Sequence, residues 1–595
     1  MRNLILIFSV LVSSNLFAQK QDNIWLFGFR GIVDIQDSTW GSTNIDFNFD
    51  PPKIRFDSSR IWDFGGTNAS ICDNEGKVKI YTNGQAVYAR DNSVIEDTIN
   101  YNKQWENWRY TFEGVSYNSG LPSFQGSLIL PLPDSEDQFY IFNSVYDRDI
   151  DYSNIFQYST VIFDEQGQGK VDERDHIILQ DTIHTGGVHS VRHGNGRDWW
   201  VIFSGHPNNI IHKYLFTPDG ISLIGTDTIG TPFNSILSQM AFSSSGDKIA
   251  YSSTCCFGED KLKIFIADFN RNTGAINNHV EDFLHSRSFS PGICFSPNSR
   301  FLYSTDINIL YQYDLNSIDI LGSKMAVAEY DGFEYFFTED TTPGTGTKPR
   351  FGWMGLAPDG KIYISATSGS SRVMHRINSP NLKGEACDME QHSVYLPAAY
   401  ARTMPNYPNY RLGPLDDRPA DTLGLNNHPV AKYRYVQDTL EDLRVHFFDL
   451  SYYDPQDYEW EFGDGNTSDV LEPNHTYAEK GVYEVCLTVS NIYDTSTSCK
   501  TIMLGTSSIK EQELEVDISI YPNPTSDYLT INFHNYLAMD SEVRFYDVNG
   551  QEVLITNLKR ASTIVNLGAL SSGAYIYKVY DEEAEIYEGQ VIVVH

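Results

Sequence analysis

The sequence predicts an all-β protein, and three observations carry that prediction. Aromatic residues are abundant, with 37 Tyr, 34 Phe and 9 Trp in 595 residues. Apolar residues alternate in short runs closed by Gly, Pro, Asn or Asp, the pattern of strands with one buried face. Long stretches with apolar positions at helical spacing are missing. Within residues 23–413 a unit also recurs at roughly 50 to 60 residues, the length of a four-stranded propeller blade with long loops. The fold class is therefore a β-propeller, read as seven-bladed with six or eight blades as the alternatives, followed by two smaller β-sandwiches.

In chain order, Met1-Arg2-Asn3 is a short basic stretch, and Leu4 to Val12 is an apolar run too short to span a membrane. Ala18 offers a small residue at a cut before Gln19, so residues 1–18 read as a cleaved signal peptide. No Cys stands at that cut, which argues against a lipid anchor. No later run approaches the roughly twenty apolar residues of a transmembrane helix.

The repeated unit of residues 23–413 is a turn followed by an apolar strand. Its copies are Asn74–Tyr81, Asp137–Phe142, Gly196–Phe203, Ser245–Tyr251, Phe295–Tyr303 and Ala357–Ile364. In Phe295-Ser296-Pro297-Asn298 the Pro fixes φ, and an Asn or Gly is expected at the left-handed corner. A seventh blade follows if Asn23–Gly28 pairs with a strand near Pro405–Gly413, which would close the ring and remove its edges. This region also resembles the N-terminal propellers of exported Bacteroidetes proteins, through Ala69–Asp73, Tyr81–Gly84, Asp198-Trp199-Trp200 and Pro405–Leu412.

After an acidic, Pro-bearing linker at 414–427, residues 428–504 carry Trp460-Glu461-Phe462-Gly463-Asp464-Gly465, then Asn474-His475-Thr476-Tyr477 and Gly481–Asn491. These motifs, in this order, resemble a PKD domain, an immunoglobulin-like sandwich. Trp460 and Phe462 are expected to fill its core, while Gly463, Asp464 and Gly465 turn the chain. A second linker at 505–515 leads to residues 516–595. There Ile518–Pro524 (with Tyr521, Pro522, Asn523 and Pro524), Val543–Gly550 and Leu570–Tyr577 are alternating strands closed by turns. Together they resemble the type A C-terminal sorting domain of the Bacteroidetes type IX secretion system. The chain departs from that family at Glu588–His595, where its members carry a Lys near the last strand. In the Ser572-Gly573-Ala574-Tyr575 turn, Gly573 matters if the turn needs a positive φ.

Lys plus Arg number 43 against 78 Asp plus Glu, a net charge of −35. Such a field repels phosphates and disfavours nucleic acid or anionic membrane as partners. Seven Cys cannot all pair within one chain. Cys486 and Cys499 flank one predicted hairpin, where a local disulfide fits, and no zinc-type CxxC pair exists. His184, His189, His193, His206 and His212 form the densest ionisable cluster. If His189 and His193 share a strand they face one side, and a metal site is the alternative to hydrogen-bonded strand histidines.

No nucleophile elbow, sialidase-type Asp turn, phosphate loop or dinucleotide glycine motif is present. Asp-Thr-aliphatic triplets at Asp97, Asp181, Asp227, Asp421 and Asp438 resemble the O-glycosylation acceptor of exported Bacteroidetes proteins, with Thr422 the most accessible. The expected function is an exported cell-surface or secreted binding protein. It would present its propeller to a glycan or protein, with the PKD unit as spacer and the secretion machinery as partner of the tail. No catalytic residue, metal or cofactor is assigned. The alternative is a propeller enzyme, a glycoside hydrolase, lyase or peptidase, using carboxylates or histidines that line the channel.

Overall fold

The computed structural model describes residues 19–594 apart from 30–40, 61–62, 96–119, 148–151, 184–185, 207–208, 233–234, 256–260, 285–291, 337–345, 369–370, 416–422, 439–440, 505–517, 522–524, 526–527, 534–540, 548–550, 559–561, 582–583 and positions 58, 165, 424 and 442. The predicted signal peptide lies outside the described residues, as do Thr98, Thr422, Thr439, His184, Cys256, Pro522, Asn523, Pro524 and Gly550. The described chain is all-β, with one short 3₁₀ turn at Gly384–Cys387 among those residues.

Among the described residues, seven antiparallel sheets follow one another through residues 24–400, each a meander in which neighbouring strands are consecutive. The first sheet is Ile24–Phe29, Gly41–Asp46 and Lys53–Asp57, and the second Ala69–Cys72, Val78–Thr82 and Val87–Ala89. The third comprises Ser127–Pro131, Gln138–Asp147, Tyr152–Phe163 and Gly169–Ile183. The fourth comprises His189–Arg192, Trp199–Ser204, Ile210–Thr217 and Gly220–Thr228. The fifth runs over Ser235–Phe242, Lys248–Cys255, Leu262–Phe269 and Ile276–Leu284. The sixth is Ile293–Phe295, Phe301–Thr305, Ile309–Asp314 and Met325–Glu329, and the seventh Phe351–Leu356, Ile362–Ala366, Ser371–Ile377 and Met389–Tyr400. Sheets stack face to face and bury strand residues on both faces, as at Trp199–Ser204, where all six are buried. That double burial explains why these strands read as continuous apolar runs.

The repeated turn joins the first and second strands of a sheet. Its left-handed corner falls on Gly246 (φ 73°) and Gly360 (φ 75°), and on Ser299 (φ 59°) in the Pro-bearing copy. Asn298 does not take that corner. Its side chain instead accepts from the Arg300 amide at 3.1 Å and the Ser296 hydroxyl at 2.7 Å, holding the turn from within.

The strand Ile24–Phe29 pairs with Gly41–Asp46 and not with residues 405–413, which form no strand. The predicted pairing fails for a local reason: Pro405 and Pro408 have no N–H to offer a ladder.

Residues 433–504 form two packed sheets. One holds Tyr433–Gln437, Arg444–Asp449 and Asn474–Thr476; the other holds Asp457–Glu461, Thr467–Ser468, Gly481–Ser490 and Thr495–Leu504. Trp460 is fully buried, meets Tyr433 edge-on at 5.0 Å, and donates its indole N–H to the Val470 carbonyl at 3.0 Å. Phe462 lies beside it in the same core. Cys486 and Cys499 are register partners on adjacent strands and are joined by a disulfide. The last unit pairs Ile518–Tyr521, Tyr528–Phe533 and Ser562–Asn566 in one sheet and Ser541–Tyr546, Glu552–Leu558, Gly573–Asp581 and Ala584–Val593 in the other. Leu529, Ile531, Val543, Phe545, Val579 and Val591 fill its core.

Candidate functional site

From Tyr400 the chain runs irregularly to Leu415 and binds the sheets together by side chains. Asn406, nearly fully buried, donates to the carbonyls of Ser127 and Val188, each at 2.9 Å, and its own amide N–H reaches Asn68 at 2.9 Å. Tyr407 donates to Ile24 at 2.7 Å and also bonds the Ser70 hydroxyl. Asn409 donates to Ser244 at 2.9 Å, and Tyr410 to Ile129 at 3.2 Å. One Pro-Asn-Tyr-Pro-Asn-Tyr run thus ties five sheets to one strap.

Two glutamines complete the centre. Gln125 accepts from the Met240 amide at 2.8 Å and donates to its carbonyl at 3.0 Å. Gln239 accepts from Ile293 at 3.0 Å and Met354 at 3.2 Å, and donates to Met354 at 2.5 Å. Each amide mimics a strand neighbour, so main-chain groups of Met240, Ile293 and Met354 in first strands are satisfied without a further strand.

Below this layer lies a cavity of about 910 Å³, walled by the sheets on one side and the Trp460-containing sandwich on the other. Phe242, Phe295 and Met354 line the first wall, and Leu450, Tyr452, Tyr453 and Leu471 the second. The sandwich is docked here by Lys432, which donates to Pro358 at 2.8 Å, and by Arg434, which donates to Asn378 at 2.6 Å. Asn381 reaches Glu472 at 3.1 Å. The unit expected to be a spacer is packed against the sheets.

Charge inside the cavity is paired or desolvated. Arg411 and Asp22 form a two-bonded ion pair at 2.5 and 2.7 Å. Burial opposes the Arg411 charge, but Asp22 more than offsets it and raises its pKa. Arg271 is lowered to about 10 by burial, and its guanidinium is spent on the carbonyls of Arg192 and Gly413 at 2.8 and 2.6 Å. Burial lowers Lys432 to about 8 and raises Asp449 to about 6. Glu472 is raised too, again by burial. Asp247 accepts from the hydroxyls of Ser243 and Ser245, as a turn cap.

The predicted histidine cluster does not converge. His189 lies in a strand, stacked on Phe242, and burial lowers it to about 4, so it is neutral at pH 7. His193 stands beyond that strand's end, where its Nδ1 accepts from the Asn195 amide at 3.1 Å. The same-side argument fails because the strand stops at Arg192. His212 stacks on Phe203, and burial lowers His206 and His212. Among the described residues no three His, Cys, Asp or Glu side chains gather as metal ligands.

In the sandwich motif, Asp464 accepts from His475 at 2.7 Å and from the Asn466 amide at 3.0 Å, while Gly463 and Gly465 take positive φ. In the last unit Tyr575 donates to Ser571 at 2.8 Å. Gly573 opens a strand opposite Val593 without a positive φ, so the backbone role expected for it is absent. A strand start needs no left-handed residue. Asn406, Gln125 and Gln239 were not singled out from the sequence for these roles. The Pro-Asn-Tyr repeat was the available signal, and it was read as strand.

Comparison with known proteins identifies both sandwiches. Residues 426–505 match the PKD domain family and residues 519–594 the secretion system C-terminal sorting domain family. The PKD1 domain of Vibrio anguillarum Epp is 33% identical over 13% of this chain and 94% of that one, with a TM-score of 0.12. The PKD1 domain of the Vibrio cholerae metalloprotease PrtV is 31% identical over 13% and 95%, also at 0.12. An exo-β-1,3-galactanase of Phanerochaete chrysosporium is 9% identical over 80% of this chain and 97% of its own, with a TM-score of 0.26. No curated protein matches. The chain therefore carries a PKD domain and a type IX sorting tail, which marks it for secretion to the cell surface or the extracellular space. No helix among the described residues is long and apolar enough to cross a membrane.

Proposed function

We propose that this exported protein is a non-catalytic binding protein, and that residues 23–413 form a seven-bladed propeller whose end remote from the PKD domain receives a glycan or protein. Seven successive meander sheets, with the first strands of the first three sheets and of the fourth to seventh sheets lying side by side, support the ring. In this reading the strap at 401–407, bonded to Ile24 through Tyr407, stands in for the strand that the first sheet lacks. The observation that carries the binding reading is the amide-filled centre. Gln125, Gln239 and Asn406 span it by bonding main chain, where a channel enzyme would place its acids.

The test is turnover by the purified full chain on a panel of polysaccharides and peptides. Binding without turnover is expected. Robust hydrolysis abolished by one carboxylate substitution would overturn the reading. One observation favours the enzyme alternative, a glycoside hydrolase, lyase or peptidase: Asp449 and Glu472 both carry burial-raised carboxyls facing the cavity. D449N is therefore the substitution to make first.

Delivery is tested separately. A fluorescent protein fused to residues 1–18 and 505–595, in a host with this secretion system, should reach the medium or cell surface. Retention in the periplasm equal to a tail-less control would refute the role of the tail.

A further inference from the structure

Strand registers fix which end of the ring each residue occupies. The first-to-second-strand turns at Ser296–Phe301 and Ala357–Lys361 lie toward the PKD domain, because Pro358 accepts from Lys432 and Asn381, which binds Glu472, also accepts from the Asn298 amide. The first residues of those strands are therefore at the remote end. Phe351 pairs with Ala366, whose amide donates to the Tyr400 hydroxyl at 2.7 Å, and Ser371 pairs with Tyr400. Tyr400 and the residues just after it share that remote end with Trp353 and with Phe124, whose ring lies against it.

Arg402 stands there without a counter-charge. It is partly buried, burial alone lowers its pKa, and no described carboxylate pairs with it. Other buried arginines each bond at least one oxygen: Arg60 that of Asp57, Arg411 that of Asp22, and Arg192, Arg271, Arg372 and Arg434 main-chain carbonyls, although Arg60 Nε and Arg434 Nε and Nη1 are left without a hydrogen-bond partner. Its backbone is held, since Thr403 donates to Gly66 at 2.9 Å and Met404 packs into the cluster of Trp25, Phe27 and Trp353. Against that cluster lies Phe124, partly buried, its ring 4.5 Å from that of Trp353. The Gly187 amide donates to the Phe124 carbonyl at 3.1 Å and fixes that residue.

We propose that this remote axial end holds a subsite for an acidic saccharide, with Arg402 binding its carboxylate and Phe124 offering a face to the sugar ring. A guanidinium held without a partner is costly to desolvate, and its planar fork matches a carboxylate. An aromatic ring packed on the same Met404 and Trp353 cluster suits the C–H face of a pyranose. A peptide fits less well. Peptides add to open strand edges, and here the inner edges are already closed by Gln125, Gln239 and Asn406. This inference rests on the binding reading above.

The experiment is titration calorimetry of the full secreted chain with trigalacturonate, its methyl ester and a tripeptide with a free C-terminus. Trigalacturonate should bind saturably and weaken with added salt. R402Q should reduce its affinity at least tenfold and leave the ester's weak binding unchanged. F124A should weaken both sugars. The melting temperature of R402Q should equal or exceed that of wild type; a fall would show a structural role and overturn the proposal. No saturable binding of trigalacturonate, equal affinity in R402Q, or equally tight tripeptide binding would each overturn it too. Neutral-glycan binding insensitive to R402Q would sink this inference while sparing the binding reading. Cleavage of trigalacturonate that needs Asp449 would sink that reading, with the Arg402 dependence of affinity still measurable.

Discussion

Asn406→Asp tests the strap at its most connected residue. The wild-type amide donates to two buried carbonyls, Ser127 and Val188, and accepts from Gln125 at 3.3 Å. An ionised Asp donates to neither carbonyl and sets a negative charge against both. Each buried carbonyl left unpaired costs about 1–3 kcal/mol, so the two together cost about 2–6 kcal/mol before charge repulsion is counted. The protonated acid keeps one O–H and can serve one carbonyl. The new carboxyl's pKa is therefore raised in the folded state above its unfolded value of about 3.9. A raised acid binds its proton more tightly when folded, so the variant is least harmed below about pH 4 and loses further stability as pH rises through the folded value. For about 390 residues the unfolding entropy is about 0.8 kcal/mol/K, so a loss of 4 kcal/mol lowers the melting temperature by about 5 °C. Scanning calorimetry of wild type, N406A and N406D at pH 4.5 and 7.5 measures this. N406D should lie near N406A at pH 4.5 and below it at pH 7.5. A wild-type melting temperature for N406D at pH 7.5 would refute the reasoning, as would an N406D that tracks N406A at both pH values.

Asp449, raised to about 6 by burial, costs the folded state stability that grows as pH rises from about 4 through 6, to about 3 kcal/mol. D449N should match wild type at pH 4 and be more stable at pH 7.5 in thermal melts; equal melts at both would refute the assigned burial. Joint replacement of Cys486 and Cys499 by Ala opens a link between residues 13 apart, and should cost the PKD domain about 3 kcal/mol in denaturant titration. No shift would show that the cross-link carries no stability. In the sorting tail, a Cβ at Gly589 would overlap the buried ring of its register partner Tyr577, so G589A should destabilise the tail by about 1–3 kcal/mol. G573A should be nearly silent, because its Cβ would meet nothing closer than 3.9 Å. Export of tail fusions should follow the same order.

The sequence by itself determined what short range can encode. Alternation and turn residues marked the strands, and Trp460 and Phe462 are in the core their alternation demanded. Motif order named the PKD domain and the sorting tail, because those units bury their own cores and carry their signatures within about eighty residues. The proximity of Cys486 and Cys499 was legible because one hairpin sets it. Tertiary structure alone decided the rest. Asn406 meets its carbonyl partners across 279 and 218 residues, so no local pattern could separate a central strap from an edge strand. His189 and His193 are four apart in sequence, yet a strand end between them sends them to different surroundings. Arg411 meets Asp22 across 389 residues, and only assembly shows that Arg411 is paired while Arg402 is not. Periodicity is set by neighbours a few residues away, whereas burial, pairing and pKa are set by whichever distant segments the folded chain brings together.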